Sequence, residues 1–94
     1  MANDLKIILF HADWCGYCQQ FKPEWNFCKQ YVSKSKHIKT IEYRDVDTVP
    51  QELEQIRENG YPTILLVHKD KQTIYNGNRK ANDIFKFVYE WLKN

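Results

Sequence analysis

Cys15 and Cys18 enclose Gly16 and Tyr17, and this Cys-Gly-Tyr-Cys spacing is the part of the chain best suited to chemistry. Two thiols so placed can cycle between a dithiol and a disulfide. The apolar run Leu5–Phe10 comes just before them and a helix-like pattern just after. A strand-to-helix junction is the setting that makes such a pair redox-active. Cys15 then falls at or just before the first helical turn, where unpaired N–H groups and the positive end of the helix dipole stabilise a thiolate. Cys18 lies one turn further on and is expected to be the more enclosed of the two. The Cys15 thiolate would attack a substrate disulfide, and Cys18 would resolve the mixed disulfide by attacking Cys15. Run backwards, the same steps donate a disulfide. The competing structural reading is a pair of buried or metal-binding cysteines.

The elements that must position this pair follow from apolar periodicity. Leu5–Phe10, apolar except for Lys6, reads as a strand buried on both faces, with His11–Asp13 as the loop leaving it. A helix from about Cys15 to Val32 is predicted because Phe21, Trp25, Cys28 and Val32 share one face, widened by Phe27 and Tyr31. Pro23 should kink it. Ile38–Val46 reads as a second strand. Thr48 and Gln51 fit a capping box with Pro50 in the first turn, Leu53 and Ile56 facing inward, and Gly60 ending the helix in a left-handed cap. Ile64–Val67 and Thr73–Tyr75 should pair as an antiparallel hairpin around a polar turn, His68–Gln72. A last helix, about Ala81 to Lys93, would bury Ile84, Val88 and Trp91, with Phe85 and Leu92 broadening the face. The order β-α-β-α-β-β-α predicts an α/β fold: a four-stranded mixed sheet with helices on both faces.

Composition bounds the rest. The 94 residues suffice for one domain, taken as 1–94. Fourteen basic and twelve acidic residues leave a net charge of +2, with no electrostatic case for nucleic acid as a partner. No stretch approaches the roughly 18 apolar residues of a membrane span, and no signal peptide or retention signal is evident. Three cysteines, two close and one isolated, suit a reducing compartment, and the expectation is a cytoplasmic monomer. Cys28 lies about 15 Å along the helix from Cys18, beyond the roughly 7 Å Cα separation a disulfide allows, and reads as a core residue. His37, His68 and the lysine groups Lys34–Lys36 and Lys69–Lys71 read as solvated loop residues.

The stretch from Phe10 to Cys18, Phe-His-Ala-Asp-Trp-Cys-Gly-Tyr-Cys, with Phe21-Lys-Pro-Glu-Trp25 after it, resembles the active-site helix of thioredoxins and of protein disulfide isomerase catalytic domains. Gly60-Tyr-Pro-Thr-Ile64 resembles their cis-proline loop, and Tyr75-Asn-Gly-Asn-Arg79 the isomerase loop before the last helix. The resemblance runs from about Leu5 to the end and implies a minimal thioredoxin fold, trimmed to the glutaredoxin outline. It implies a thiol–disulfide oxidoreductase with Cys15 as nucleophile and Cys18 as resolving thiol. Pro62 would be the cis-proline facing them, and the Tyr61 backbone would pair with an extended substrate. Trp14, Gly16, Tyr17, Tyr61 and Gly77 would form or line the shallow surface around Cys15. The implied partners are disulfide-containing proteins and a reductase or glutathione, with no metal and no cofactor beyond the redox pair.

The sequence departs from that family in three places. The buried acid usual six residues before the first cysteine is Leu9 here, so Cys18 must lose its proton to water or another group. His11, two residues on and on the same strand face, could handle a proton, or serve only as a structural histidine. Gln19 replaces a basic residue. Gly16–Tyr17 is neither the Gly-Pro of thioredoxins nor the Gly-His of eukaryotic disulfide isomerases, and predicts a moderately reducing pair. The rival readings are a glutathione-dependent glutaredoxin, with Asn78–Arg79 and Asn82–Asp83 as weak carboxylate-binding candidates, and a glutaredoxin-like iron–sulfur carrier. A third is a binding module that captures extended partners.

Overall fold

A computed structural model of the chain describes residues 4–93. Residues 1–3 and the terminal Asn94 lie outside the described residues. The elements are β1 (Leu5–His11), α1 (Gly16–Val32), β2 (Ile38–Arg44), a 3-10 turn (Gln51–Leu53) running into α2 (Glu54–Arg57), β3 (Thr63–His68), β4 (Lys71–Tyr75) and α3 (Ala81–Lys93). They form one mixed sheet in the order β2-β1-β3-β4. β1 runs parallel to β2, with Leu9 opposite Glu42 and His11 opposite Arg44. It runs antiparallel to β3, with Phe10 opposite Thr63. The expected α/β architecture is therefore present.

The near-continuous apolar run of β1 is explained by its central position, covered on both faces. Leu5, Ile7 and Leu9 pack with Phe21, Trp25, Cys28 and Val32 of α1 and with Ile84 and Val88 of α3. Ile8 and Phe10 point the other way, into a smaller cluster with Val49, Leu53 and Leu65. Alternation along the strand thus divides the core between two layers. Glu24 joins the two helices of the larger layer, its carboxylate accepting the Ala81 N–H at 2.8 Å at the start of α3.

Several expected details are corrected. Phe27 and Tyr31 do not widen the buried face of α1; both are exposed, because that face is already filled by the 21, 25, 28, 32 stripe. Tyr31 packs instead against Phe85 of α3, ring centroids 4.7 Å apart. Leu92 is likewise exposed, and Trp91 only half-buried. β2 stops at Arg44 instead of Val46, since the Asp47 carboxylate accepts the Arg44 N–H at 2.8 Å and turns the chain. The Thr48–Gln51 capping box does not form: Pro50 is extended (ψ 145°), and the helical segment starts only at Gln51 without a side-chain cap. The β3–β4 turn is shorter than expected, with Lys69 left-handed at φ 58°, so β4 begins at Lys71. Pro23 sits within α1, which runs unbroken to Val32.

Candidate active site

The C-terminal end of β1 delivers the chain into α1 through Ala12, Asp13 and Trp14. Ala12 is fully buried, and its carbonyl accepts the Cys15 N–H at 3.2 Å, which holds the turn closed. Cys15 is the N-cap of α1, with extended backbone (φ −91°, ψ 113°). Its sulfur accepts the Cys18 N–H at 3.1 Å, so it occupies the place a serine or aspartate oxygen would fill at an ordinary helix start. An electron-rich sulfur there receives both a donor and the positive end of a helix of more than four turns. No residue of the first turn is acidic.

Both thiols are free and nearly equally buried, 6% exposed for Cys15 and 7% for Cys18, so Cys18 is not the more enclosed. They pack with Ala12 and Tyr61 in a small cluster separate from the two core layers. Burial, then the hydrogen bond with Cys15, push the Cys18 thiol up to about 11, while the Ala12 backbone and Arg79 pull the other way. Cys18 is accordingly a protonated thiol at neutral pH. It cannot act as a nucleophile until it loses that proton.

The Tyr61–Pro62 peptide bond is cis. Pro62 is buried, and the segment is pinned by the Thr63 hydroxyl donating to the Gly60 carbonyl at 2.7 Å. Gly60 adopts φ 104°, which a side chain would resist. Trp14 and Tyr17 flank the pair but stand well out of the surface, 71% and 67% exposed. Trp14 is nevertheless fixed. Its indole N–H donates to the Asp45 carboxylate at 2.8 Å, and its ring meets Tyr61 edge-on at 5.7 Å. Tyr17 lies under the Arg79 guanidinium, 5.9 Å from the ring centre. Gly16 has open space above it.

Gly77 is placed across a cleft of about 870 Å3 that also involves Tyr17, Pro62, Thr63 and Arg79. Neither sulfur lines this cleft; the thiols lie beyond its Pro62–Tyr17 edge. The residues singled out from sequence are thus brought together around Cys15, except that Gly77 reaches them only across the cleft. Sequence reasoning missed Asp45, Arg57 and Glu42. Asp45 holds Trp14, and Arg57 holds the loop bearing Asp45 by donating to the backbone carbonyls of Asp45 and Asp47 at 3.0 and 2.6 Å. The one available signal was the parallel register of β1 with β2, which puts Asp45 beside the Cys15 loop. Among the described residues no cluster of three or more His, Cys, Asp or Glu side chains has metal-binding geometry. None of their helices is long and apolar enough to cross a membrane.

The sequence profile of the thioredoxin family matches residues 1–90. The chain belongs to the thioredoxin family. Its β-α-β-α-β-β-α order is the minimal thioredoxin fold, and it carries a Cys15–Cys18 pair at the start of α1 and a cis Tyr61–Pro62 bond. Among similar curated proteins, a thioredoxin domain-containing protein of Acanthamoeba polyphaga mimivirus is 36% identical over 94 residues, covering 92% of this chain and 26% of that protein. Protein disulfide isomerase-like 2-3 of Oryza sativa is 33% identical over 94 residues, covering 98% of this chain and 21% of that protein. The chain thus spans about a quarter or less of the length of these relatives. Of solved structures, the first thioredoxin domain of mouse protein disulfide-isomerase A4 superposes with a TM-score of 0.72 at 28% identity, over 93% of this chain and 62% of that one. The Trx4 domain of ERdj5 does so with a TM-score of 0.75 at 23% identity, over 96% and 81%, and speaks for the fold alone.

Proposed function

We propose that this thioredoxin-family chain exchanges disulfides with protein substrates, Cys15 attacking and Cys18 resolving. The observation that carries this reading is the Cys15 sulfur as N-cap of α1, accepting the Cys18 N–H at 3.1 Å. A thiolate formed there is held by that donor and by the helix dipole, and it opens toward the surface between Trp14 and Tyr61. An extended substrate segment would pair with the backbone of Tyr61 ahead of cis-Pro62, which delivers its sulfur to Cys15. Trp14, Tyr17 and the cleft rimmed by Gly77 would receive the flanking side chains. Attack gives a Cys15–substrate mixed disulfide. Attack by Cys18 then forms the Cys15–Cys18 disulfide and frees the substrate thiol.

On this reading the redox pair is the only cofactor, and a reductase or glutathione restores the dithiol. A reducing compartment such as the cytoplasm is the proposed setting, because Cys28 adds a buried third thiol that geometry denies a partner in the chain. The Gly16–Tyr17 pair favours a moderately reducing protein, while kinship to disulfide isomerases is compatible with either net direction. The reduction potential decides between them: near about −270 mV the protein reduces, near about −180 mV it oxidises or isomerises.

Reduction of insulin by dithiothreitol tests the reading. Cys15→Ser should abolish catalysis, and Cys18→Ser should trap a covalent adduct with substrate that mass spectrometry detects and reductant removes. Catalysis by Cys15→Ser at the parent rate would sink the proposal. Glutathione-dependent reduction of a small mixed disulfide surviving Cys18→Ser would move the assignment to a glutaredoxin.

A further inference from the structure

Cys18 is part of the wall of a second cavity, about 140 Å3, between α1 and the ends of β1 and β2. Its buried end is made by Leu9, Cys18, Phe21 and Trp25. His11, half-buried, stands further along, and Glu42 with Lys29 closes the solvent side. Lys29 Nζ lies 2.6 Å from a Glu42 carboxylate oxygen, each side chain more than a third exposed. The volume far exceeds the roughly 15 Å3 that one water needs. The Trp25 indole N–H on the same wall is buried and faces the Glu42 carboxylate without a direct hydrogen bond of full geometry, a gap that one water can bridge. The cavity therefore sets Cys18, His11 and Glu42 around one space large enough for water, in a chain where Leu9 offers that thiol no base.

We propose that His11 takes the proton from Cys18 through water in this cavity during the resolving step, and that Glu42 is the positioning residue that favours the resulting imidazolium. The proposal rests on the exchange reading above. In the mixed disulfide, the Cys18 S–H proton passes to the neutral His11 imidazole. The Cys18 thiolate attacks the Cys15 sulfur, the Cys15–substrate bond breaks, and its electron pair leaves on the substrate sulfur. The Cys15–Cys18 bond forms, the pair is oxidised and the substrate disulfide reduced. The imidazolium then passes its proton by solvent to the leaving thiolate. In the reverse reaction it protonates Cys18 as Cys18 departs.

The electrostatics around His11 come from several elements. Glu42 on β2 is the nearby anion: burial raises its carboxyl, but the Lys29 ammonium, the Trp25 indole and His11 more than offset this and hold it below the usual range. Arg44 on β2 is the register partner of His11, but Asp13 engages its guanidinium at 3.5 Å and Asp47 at 3.7 Å. Lys29 is engaged by Glu42, while Lys22 and Asp13 complete the charged rim of the cavity. Lys29 and Arg44 are thus each matched by carboxylates, which leaves an imidazolium tolerable there.

An aromatic disulfide whose leaving thiolate is coloured, dithiobis(nitrobenzoate), separates the two steps in stopped flow. The first equivalent released reports Cys15 attack, and the second reports resolution by Cys18. Cys28, fully buried, contributes neither. His11→Phe and His11→Gln should release the first equivalent at the parent rate and the second at least about tenfold more slowly. The parent's rise of the second release with pH, as imidazole becomes neutral, should be missing from both variants. Glu42→Gln should move that rise to lower pH, and an unchanged profile overturns its part. Second release at the parent rate and profile in either His11 variant overturns the proposal. A parent protein that releases no first equivalent instead sinks the exchange reading beneath it.

Discussion

Gly77 shows how closely the surface around the thiols is fitted. A Cβ at this position would lie 2.6 Å from the Tyr75 hydroxyl and 2.8 Å from its ring carbon. Tyr75 is buried, and its hydroxyl donates to the Asn78 carbonyl at 2.5 Å, so the ring cannot simply swing away. Burial, and then the Asp83 carboxylate, push the Tyr75 phenol up, so it remains a donor at any physiological pH. Gly77→Ala should cost roughly 1–3 kcal/mol through this overlap, read as a lower urea midpoint. It should also weaken exchange with peptide disulfides while leaving small-molecule thiol reactivity unchanged. An alanine variant with the parent's midpoint would mean that the loop yields freely. The glycine was noticed in the sequence for its loop; that it abuts Tyr75 depends on β4 and could not be read there. Trp14 is a similar case. Its place before Cys15 was legible, but its bond to Asp45 joins residues 31 apart.

At the level of elements, the chain announced its strands and long helices clearly. The runs 5–10 and 64–67 and the stripe 21, 25, 28, 32 each carry a period that one secondary structure satisfies. The segment around residues 48–57 was misread because a capping box is local and tertiary demands overrode it. Extended Pro50 lets Val49 and Leu53 reach the sheet, and the helix is cut to Glu54–Arg57. What the segment does instead is anchor a loop. Arg57, 15% exposed in its side chain, donates to the carbonyls of Asp45 and Asp47, which hold the loop that fixes Trp14. Arg57→Ala leaves these carbonyls without their charged donor, at a cost of about 1–3 kcal/mol. The Trp14 emission should then shift toward that of free indole in a Trp25→Phe, Trp91→Phe background. If Trp14 emission stays put while stability falls, the loop is held by something other than Arg57.

For the whole molecule, the thiols make stability depend on redox state and pH together. Cys18 and Cys28 are both raised from 9.0 to about 11, Cys28 by burial and then by Glu24. Between those values the unfolded chain has lost thiol protons that the native dithiol form keeps. Unfolding then releases protons, and stability falls as pH rises, by up to about 1.4 kcal/mol per pH unit for each such thiol. Below about pH 9 this contribution is flat. Oxidation removes the Cys18 share, so the disulfide form should lose stability less steeply above pH 9. Urea midpoints of both forms across that range check this, and parallel slopes would contradict it. The sulfur that reacts is also the group that closes the first turn of α1. On the exchange reading, each cycle therefore changes the charge and bonding of a helix cap. A cap is worth about 1 kcal/mol, so a cap lost on oxidation would be worth about 20 mV across a two-electron couple, in favour of the dithiol. The backbone amide of Cys18 is in this sense a voltage setting, placed in the first turn of the helix that Cys15 caps.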